Sequence, residues 1–174
     1  MFKQCIVIIC ALVVSAVSPV MAYVSFSPDS QSFVVADKAS GKVASIWVDP
    51  NASPGILLAA KNLQSDIHKV TGLTPVIVHD AQTLSGQVII IGERGAAAPV
   101  DRLFADGTLS IEENANQWEG YQLAHVQHPF DGVEQAWVIS GFDRRGVIYG
   151  IYDLSEKMGV SPWYWWADVP VVQR

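Results

Sequence analysis

Several groups of residues in this chain have types and spacings that could do chemistry. Asp143 stands just before a helical pattern, where a helix N-terminus favours an anion. Asp153 and Glu156 lie three apart, and Glu112 and Glu113 are adjacent. Two carboxylates at the right separation can act as general acid and general base. Adjacent residues point in different directions on a helix or a strand. Asp153 and Glu156 share the side of a helix that faces water or a neighbouring domain. Asp143 reads first as an ordinary N-cap. The acids therefore make no convincing pair, and no catalytic residue is assigned.

His125 and His128 are three apart, a spacing that suits a metal on a helix. Here they belong to a strand that runs into Pro129, so their rings need not converge. Neither a cysteine nor a nearby acid supports a metal site. Gly92-Glu93-Arg94-Gly95 follows an apolar run, as a phosphate loop would. It lacks both the G-x-G-x-x-G spacing and the Walker lysine, so it reads as a tight strand-to-helix turn. No serine is marked as an activated nucleophile. No cofactor is expected.

Arg144 and Arg145 are the one adjacent basic pair in the mature chain. An arginine can grip a carboxylate in bidentate fashion. It can equally tie down an acid or a carbonyl at a domain edge. Gly146 in the first helical turn costs stability relative to alanine, which predicts that another backbone passes close to it. The junction role is favoured. Trp163, Tyr164, Trp165 and Trp166 form an unbroken aromatic cluster. Three readings stand: an exposed sugar platform, a buried core, and a seam against a following domain. In an extended segment Trp163 and Trp165 would face one side, Tyr164 and Trp166 the other. That suits a segment clamped between two layers, so the seam is favoured.

The elements that must position these residues follow from the hydrophobic pattern. Residues 43–48 are rich in β-branched side chains and read as a strand. Ser53-Pro54 starts a helix, with Ser53 as N-cap and Pro54 at the first helical position. Its apolar stripe is Ile56, Leu57, Ala60, Leu63, Ile67 and Val70, and Gly72 is its C-terminal cap. Residues 75–79 and 87–91 are continuous apolar runs, as in strands buried on both faces. Residues 92–99 read as a loop, and 101–104 as one helical turn. The stretch 110–120 reads as an acidic surface excursion. Residues 121–127 and 135–140 read as two strands joined by a longer hairpin loop. A last helix runs from about Arg144 to Met158, with Gly159 after it and Pro162 preventing its resumption. The fold class is then α+β, an α/β sandwich: a small mixed sheet with two main helices packed on one face.

Composition bounds the class further. Of 174 residues, the first 22 have a basic start at Lys3, an apolar stretch and a small-residue cleavage site at Ala22. They read as a secretory signal, and the apolar stretch falls short of the roughly 20 residues of a membrane span. Residues 23–160 form the expected domain, and 161–174 the start of a seam or linker. Both cysteines, Cys5 and Cys10, lie in the signal, so the mature chain has no disulfide. Without Lys3, ten basic residues stand against 17 acidic, a net charge of −7. That excludes a nucleic-acid partner, since phosphate binding needs a basic face. The mature protein is expected to be exported, to periplasm or medium, with no membrane association after cleavage.

The run from Gly141 to Pro170, in which DRRG is followed by IYGIYDLSEKMGVSPWYWWADVP, resembles a junction in glycoside hydrolase family 115, the xylan α-1,2-glucuronidases. The helix VDPNASPGILLAAKNLQSDIHKVTG and the strand QVIIIGERG resemble earlier parts of the same N-terminal domain. The resemblance implies an accessory α/β domain in front of a catalytic (β/α)-barrel that this chain lacks. It implies a parent that removes glucuronic acid from glucuronoxylan with inversion. The partners would be that barrel and, through the parent, a xylan-type polysaccharide. Of the site residues it carries over only the DRRG helix (Asp143, Arg144, Arg145) and the Trp163–Trp166 seam. The alternative is a stand-alone carbohydrate-binding or protein-docking domain.

Overall fold

The computed structural model describes residues 32–167 and 169–173. The expected signal at 1–22 lies outside them. The first described element is a small hairpin, β1 (Ala36–Asp37) with β2 (Lys42–Val43). Its turn is held by the Asp37 carboxylate, which accepts from Ala39 N and Ser40 Oγ. β3 (Ser45–Val48) then leads into α1 (Pro54–Thr71). The predicted stripe of α1 faces the core: Ile56, Ala60, Leu63, Ile67 and Val70 are buried, joined by Ala59, while Leu57 at its margin is only half-buried. Gly72 adopts φ +78°, and its N–H closes the helix on His68 O at 2.7 Å. At the other end Ser53 occupies the cap position, but its hydroxyl makes no capping bond and is buried without a partner. Its main-chain carbonyl instead accepts from Ile56 N and Leu57 N.

A five-stranded sheet has the order β4–β3–β5–β7–β6, with β4 at Ile77–Val78, β5 at Gly86–Glu93, β6 at Tyr121–Gln127 and β7 at Val133–Gly141. β3, β4, β5 and β7 run parallel; β6 closes the edge as the antiparallel arm of a hairpin, Tyr121 opposite Gly141 and Gln127 opposite Gln135. Central β5 matches the prediction of burial on both faces, since Val88 to Ile91 are each 0 % exposed. Strand β4 does not. It is an edge strand of two residues, paired only to β3, and Val76 beside it is 65 % exposed.

Alternation along the strands divides the core in two. Ile46, Val48, Ile89, Ile91 and Ile139 face α1 and the last long helix, α3 (Arg144–Lys157). Trp47, Val88, Ile90, Ala136 and Val138 face the other way, onto α2 (Ala98–Ala105). The two long helices thus share one face, as predicted. The opposite face is covered by a helix of eight residues, in place of the single turn expected at 101–104; it begins within the predicted loop. Its inner side, Val100 and Leu103, is fully buried. Close packing explains the small residues before it: a Cβ on Gly92 would lie 2.3 Å from Ala97 Cβ. The fold is a mixed α+β arrangement with helices on a small sheet, and the sheet does not close into a barrel among the described residues.

Candidate functional site

In open sheets with parallel strands, ligands bind outside the carboxyl ends of the strands, where successive connections leave on opposite faces. Here β3 and β7 hand over to α1 and α3 on one face, while the intervening β5 hands over to α2 on the other. This edge holds Asp143, Arg144 and Arg145, and also the segment 110–120 that precedes β6.

Asp143 is the N-cap of α3. Its Oδ1 accepts from Arg145 N and Gly146 N, both at 2.9 Å. Its other oxygen, Oδ2, accepts from Glu119 N at 2.9 Å. Partial burial pushes its carboxyl upward, but the three N–H donors and the charge of Arg145 outweigh this and hold it below the ordinary 3.8. A carboxylate held ionised by three donors is poorly suited to deliver a proton. Arg145 pairs with Glu119 at 2.8 Å and donates to Tyr149 Oη at 2.9 Å. The tyrosine bond, and then the glutamate charge, raise its pKa. The predicted close backbone at Gly146 is that of Gly120, whose carbonyl oxygen would lie 2.2 Å from a Cβ on Gly146. Phe142 N donates to that same carbonyl at 2.9 Å. The first turn of α3 is therefore welded to the start of β6. Arg144 is exposed and makes no ion pair with a described residue.

Two participants, Glu119 and Arg94, are given no role at this edge by the sequence pattern. Glu119, legible there only as part of an acidic excursion, sits at φ +62° and supplies both the N–H for Asp143 and the acid for Arg145. A non-glycine residue in the left-handed region is strained and persists only where its surroundings hold it. Arg94 ends the β5 turn. It donates through Nη2 to Ala115 O, and its guanidinium lies 5.5 Å from the Phe142 ring centre and 5.9 Å from that of Phe104. Burial lowers its pKa. With Gln122, which bonds Ser110 O and Glu112 N, it fastens the segment 110–120 to the sheet edge. Its position directly after an apolar strand is the signal that could have found it.

The aromatic cluster is elsewhere. Strand β7 ends at the edge just described, and α3 carries the chain back along the sheet for about 21 Å, at roughly 1.5 Å per residue. Asp143–Arg145 and Trp163–Trp166 thus stand at opposite ends of the domain. The cluster is also not extended. Ser161 O accepts from Tyr164 N at 3.0 Å, Ser161 Oγ from Trp163 N at 3.2 Å, and a short helix α4 spans Tyr164–Ala167. Ser161-Pro162 form a turn that leads into this helix, whose first turn closes from Trp163 O to Ala167 N, which corrects the expectation of alternating faces. Trp163 is 66 % exposed, and the half-buried Tyr164 ring lies under Lys69 Nζ at 4.4 Å. The side chains of Trp165 and Trp166 lie outside what the structure describes. After α4, Val171 packs back against the main core.

The remaining chemical candidates do not converge. His125 lies edge-on to the Phe33 ring and opposite Trp137 in the register of β6 and β7, whereas His128 lies beyond the strand at φ +49°. Asp153 pairs with Lys157. No group of three or more metal-ligating side chains occurs among the described residues. A depression of about 530 Å³ lies by the β6–β7 connection, with Arg102 over Phe130 at its side.

No protein-family model matches the chain, and no curated protein matches it. Among solved structures the chain is similar to a family GH115 4-O-methyl-α-glucuronidase, BtGH115A, with specificity for decorated arabinogalactans. The TM-score is 0.59 at 27 % identity, over 75 % of this chain. The match spans 15 % of the length of that protein. The likeness is that of a remote structural relative with a related fold.

Proposed function

We propose that this chain is the N-terminal, non-catalytic accessory domain of an exported glycoside hydrolase of the α-glucuronidase type. The observation that carries this reading is the likeness of three quarters of the chain to a small part of a much longer glucuronidase. The chemistry of the sheet edge supports it. Asp143, the best-placed acid, is committed to capping α3 and holding Glu119. An inverting glycosidase needs two carboxyls about 6.5–9.5 Å apart around the scissile bond, one of them free to give up a proton. Those groups would belong to a barrel carried by the parent, which would remove glucuronic acid, 4-O-methylated or not, from a decorated polysaccharide. Xylan is the polymer that the motif resemblance implies; decorated arabinogalactan is the one named for the similar solved protein. The Trp163–Trp166 turn is the proposed seam to the barrel. The purified chain should release no uronic acid from glucuronoxylan or from a glucuronate-decorated arabinogalactan, and turnover by it would overturn the proposal. So would a stop codon directly after Arg174 in the source gene. In that case the second reading, a stand-alone carbohydrate-binding or docking domain, takes over; the exposure of Trp118 and Trp163 favours it.

A further inference from the structure

We propose that Trp118 and Arg144 form a binding site for a pyranose chain bearing occasional carboxylates, the indole stacking on a sugar ring and the guanidinium holding a uronate. Trp118 is 75 % exposed. It does not belong to a loose loop: the segment carrying it is fastened by Arg94 to Ala115 O, by Gln122 to Ser110 O, and by Asp143 to Glu119 N. A large apolar ring is thus presented to water on a backbone that cannot fold it away. Trp118 and Arg144 are each one residue removed from the 2.9 Å bond between Glu119 N and Asp143 Oδ2, which sets them on the same edge. Of the two adjacent arginines, Arg145 is engaged by Glu119 and Tyr149, whereas Arg144 is exposed and in no ion pair with a described residue.

The ligand chemistry follows from these groups. The face of an indole is electron-rich and attracts the weakly positive C–H hydrogens on one side of a pyranose ring. A guanidinium presents a planar fork of donors that matches a carboxylate. The exposed amides of Asn114 and Gln117, on the same segment, suit sugar hydroxyls. A ligand apolar on one side and polar on the other fits this surface. A protein partner would need a standard interface of about 800 Å² per side with an apolar centre. The exposed acids Glu112 and Glu113 oppose a dense polyanion, so the match is a chain with sparse uronates.

The polymer class rests on the proposed glycosidase parentage, but the test reads binding alone, without catalysis. The full chain is run in native gels containing soluble 4-O-methylglucuronoxylan or the same polymer with its carboxyls reduced to alcohols. Retardation is expected in the acidic polymer. Trp118→Ala should weaken it about tenfold or more, as loss of an aromatic anchor does. Arg144→Ala should weaken it about twofold to fivefold, the range of an exposed ion pair, and should leave the weaker binding to the reduced polymer unchanged. Both side chains are exposed, so the variants keep the fold. Absence of retardation in the wild type, indifference to Trp118→Ala, or equal retardation by both polymers would each overturn the proposal. Retardation with the stated mutant pattern supports it even if the gene ends after Arg174, an outcome that would remove only the accessory-domain reading.

Discussion

Gly146→Ala separates helix propensity from packing at the α3 junction. Gly146 is the third residue of α3 and has no positive φ, so the backbone does not require glycine there. Helix propensity alone predicts that alanine would stabilise the chain by about 1 kcal/mol. The structure predicts the opposite sign. A Cβ at 146 would sit 2.2 Å from Gly120 O and 3.0 Å from Gly120 C, and those neighbours are main chain, which cannot swing aside as a side-chain tip can. Relief requires residues 119–120 to move away from α3. That motion strains two bonds: Glu119 N to Asp143 Oδ2, and Phe142 N to Gly120 O, both 2.9 Å. Their net worth is about 0.5–1.5 kcal/mol each. Overpacking into a filled space typically costs about 1–3 kcal/mol on its own scale. Overpacking of about 1–3 kcal/mol, plus about 1 kcal/mol from partial loss of the two bonds, less the propensity gain of about 1 kcal/mol, leaves an expected net destabilisation of about 1–3 kcal/mol.

The assay is reversible unfolding of the purified chain in urea, with a thermal scan as a second measure. At about 2–4 °C per kcal/mol for a domain of this size, a 2 kcal/mol loss lowers Tm by about 4–8 °C. Gly55→Ala is the internal control. Gly55 also lies in the first turn of a long helix, but a Cβ there would meet only Ile148 Cδ1 at 3.1 Å, the free end of a flexible side chain. That variant should be neutral or gain up to about 1 kcal/mol. If Gly146→Ala is as stable as the wild type while Gly55→Ala behaves as stated, the claim that α3 is locked against Gly120 is wrong.

Asp143 titrates below its ordinary 3.8 in the folded chain, so its stabilisation is present above that value and is lost as pH falls through the lower folded pKa. Urea midpoints should therefore show wild type above Asp143→Asn at pH 6, with the gap closing in acid below 3.8; a gap independent of pH would refute the assignment. Truncation after Gly159 should destabilise the domain, because Val160 is only 7 % exposed and packs in the main core. Burial of a valine contributes about 1.5–3 kcal/mol, so a chain ending at Ser161 should unfold at measurably higher urea than one ending at Gly159.

Much of the architecture is legible in the sequence because it rests on local rules. The stripe of α1, the left-handed Gly72, the Asp143 cap and the hairpin of the last two strands each follow from a few neighbouring residues. Gly146 is legible as a point of close approach, although its partner is not, since Gly120 is 26 positions away and pairing at that range leaves no local mark. Helix α2 escapes a periodicity reading because its buried side is only Pro99, Val100 and Leu103, too short for a period to emerge, and because the alanines before it look like loop filler. The turn at Trp163–Trp166 departs from expectation for a different reason. Four consecutive aromatics suggest an extended segment, and that pattern masks the Ser161-Pro162 turn, whose serine carbonyl and hydroxyl lead the chain into the short helix.

The candidate site is half legible, and the missing half is the partner that holds it. From sequence, Asp143 reads as an N-cap, and Arg144 with Arg145 as a pair at a domain junction. In the fold Asp143 and Arg145 are spent on Glu119, a residue 24 positions before Asp143 whose strained backbone only the assembled sheet edge can hold. A carboxylate filled by main-chain N–H groups and an arginine paired with Glu119 act structurally, and they make the segment before β6 rigid. Rigidity there matters because of what the segment displays: an indole in water, beside the one arginine of the pair that the junction leaves unengaged. Asp143 and Arg145 therefore act as supports, while ligand recognition falls to Trp118, whose sequence context carries no motif, and to Arg144, the member of the DRRG run in no ion pair with a described residue.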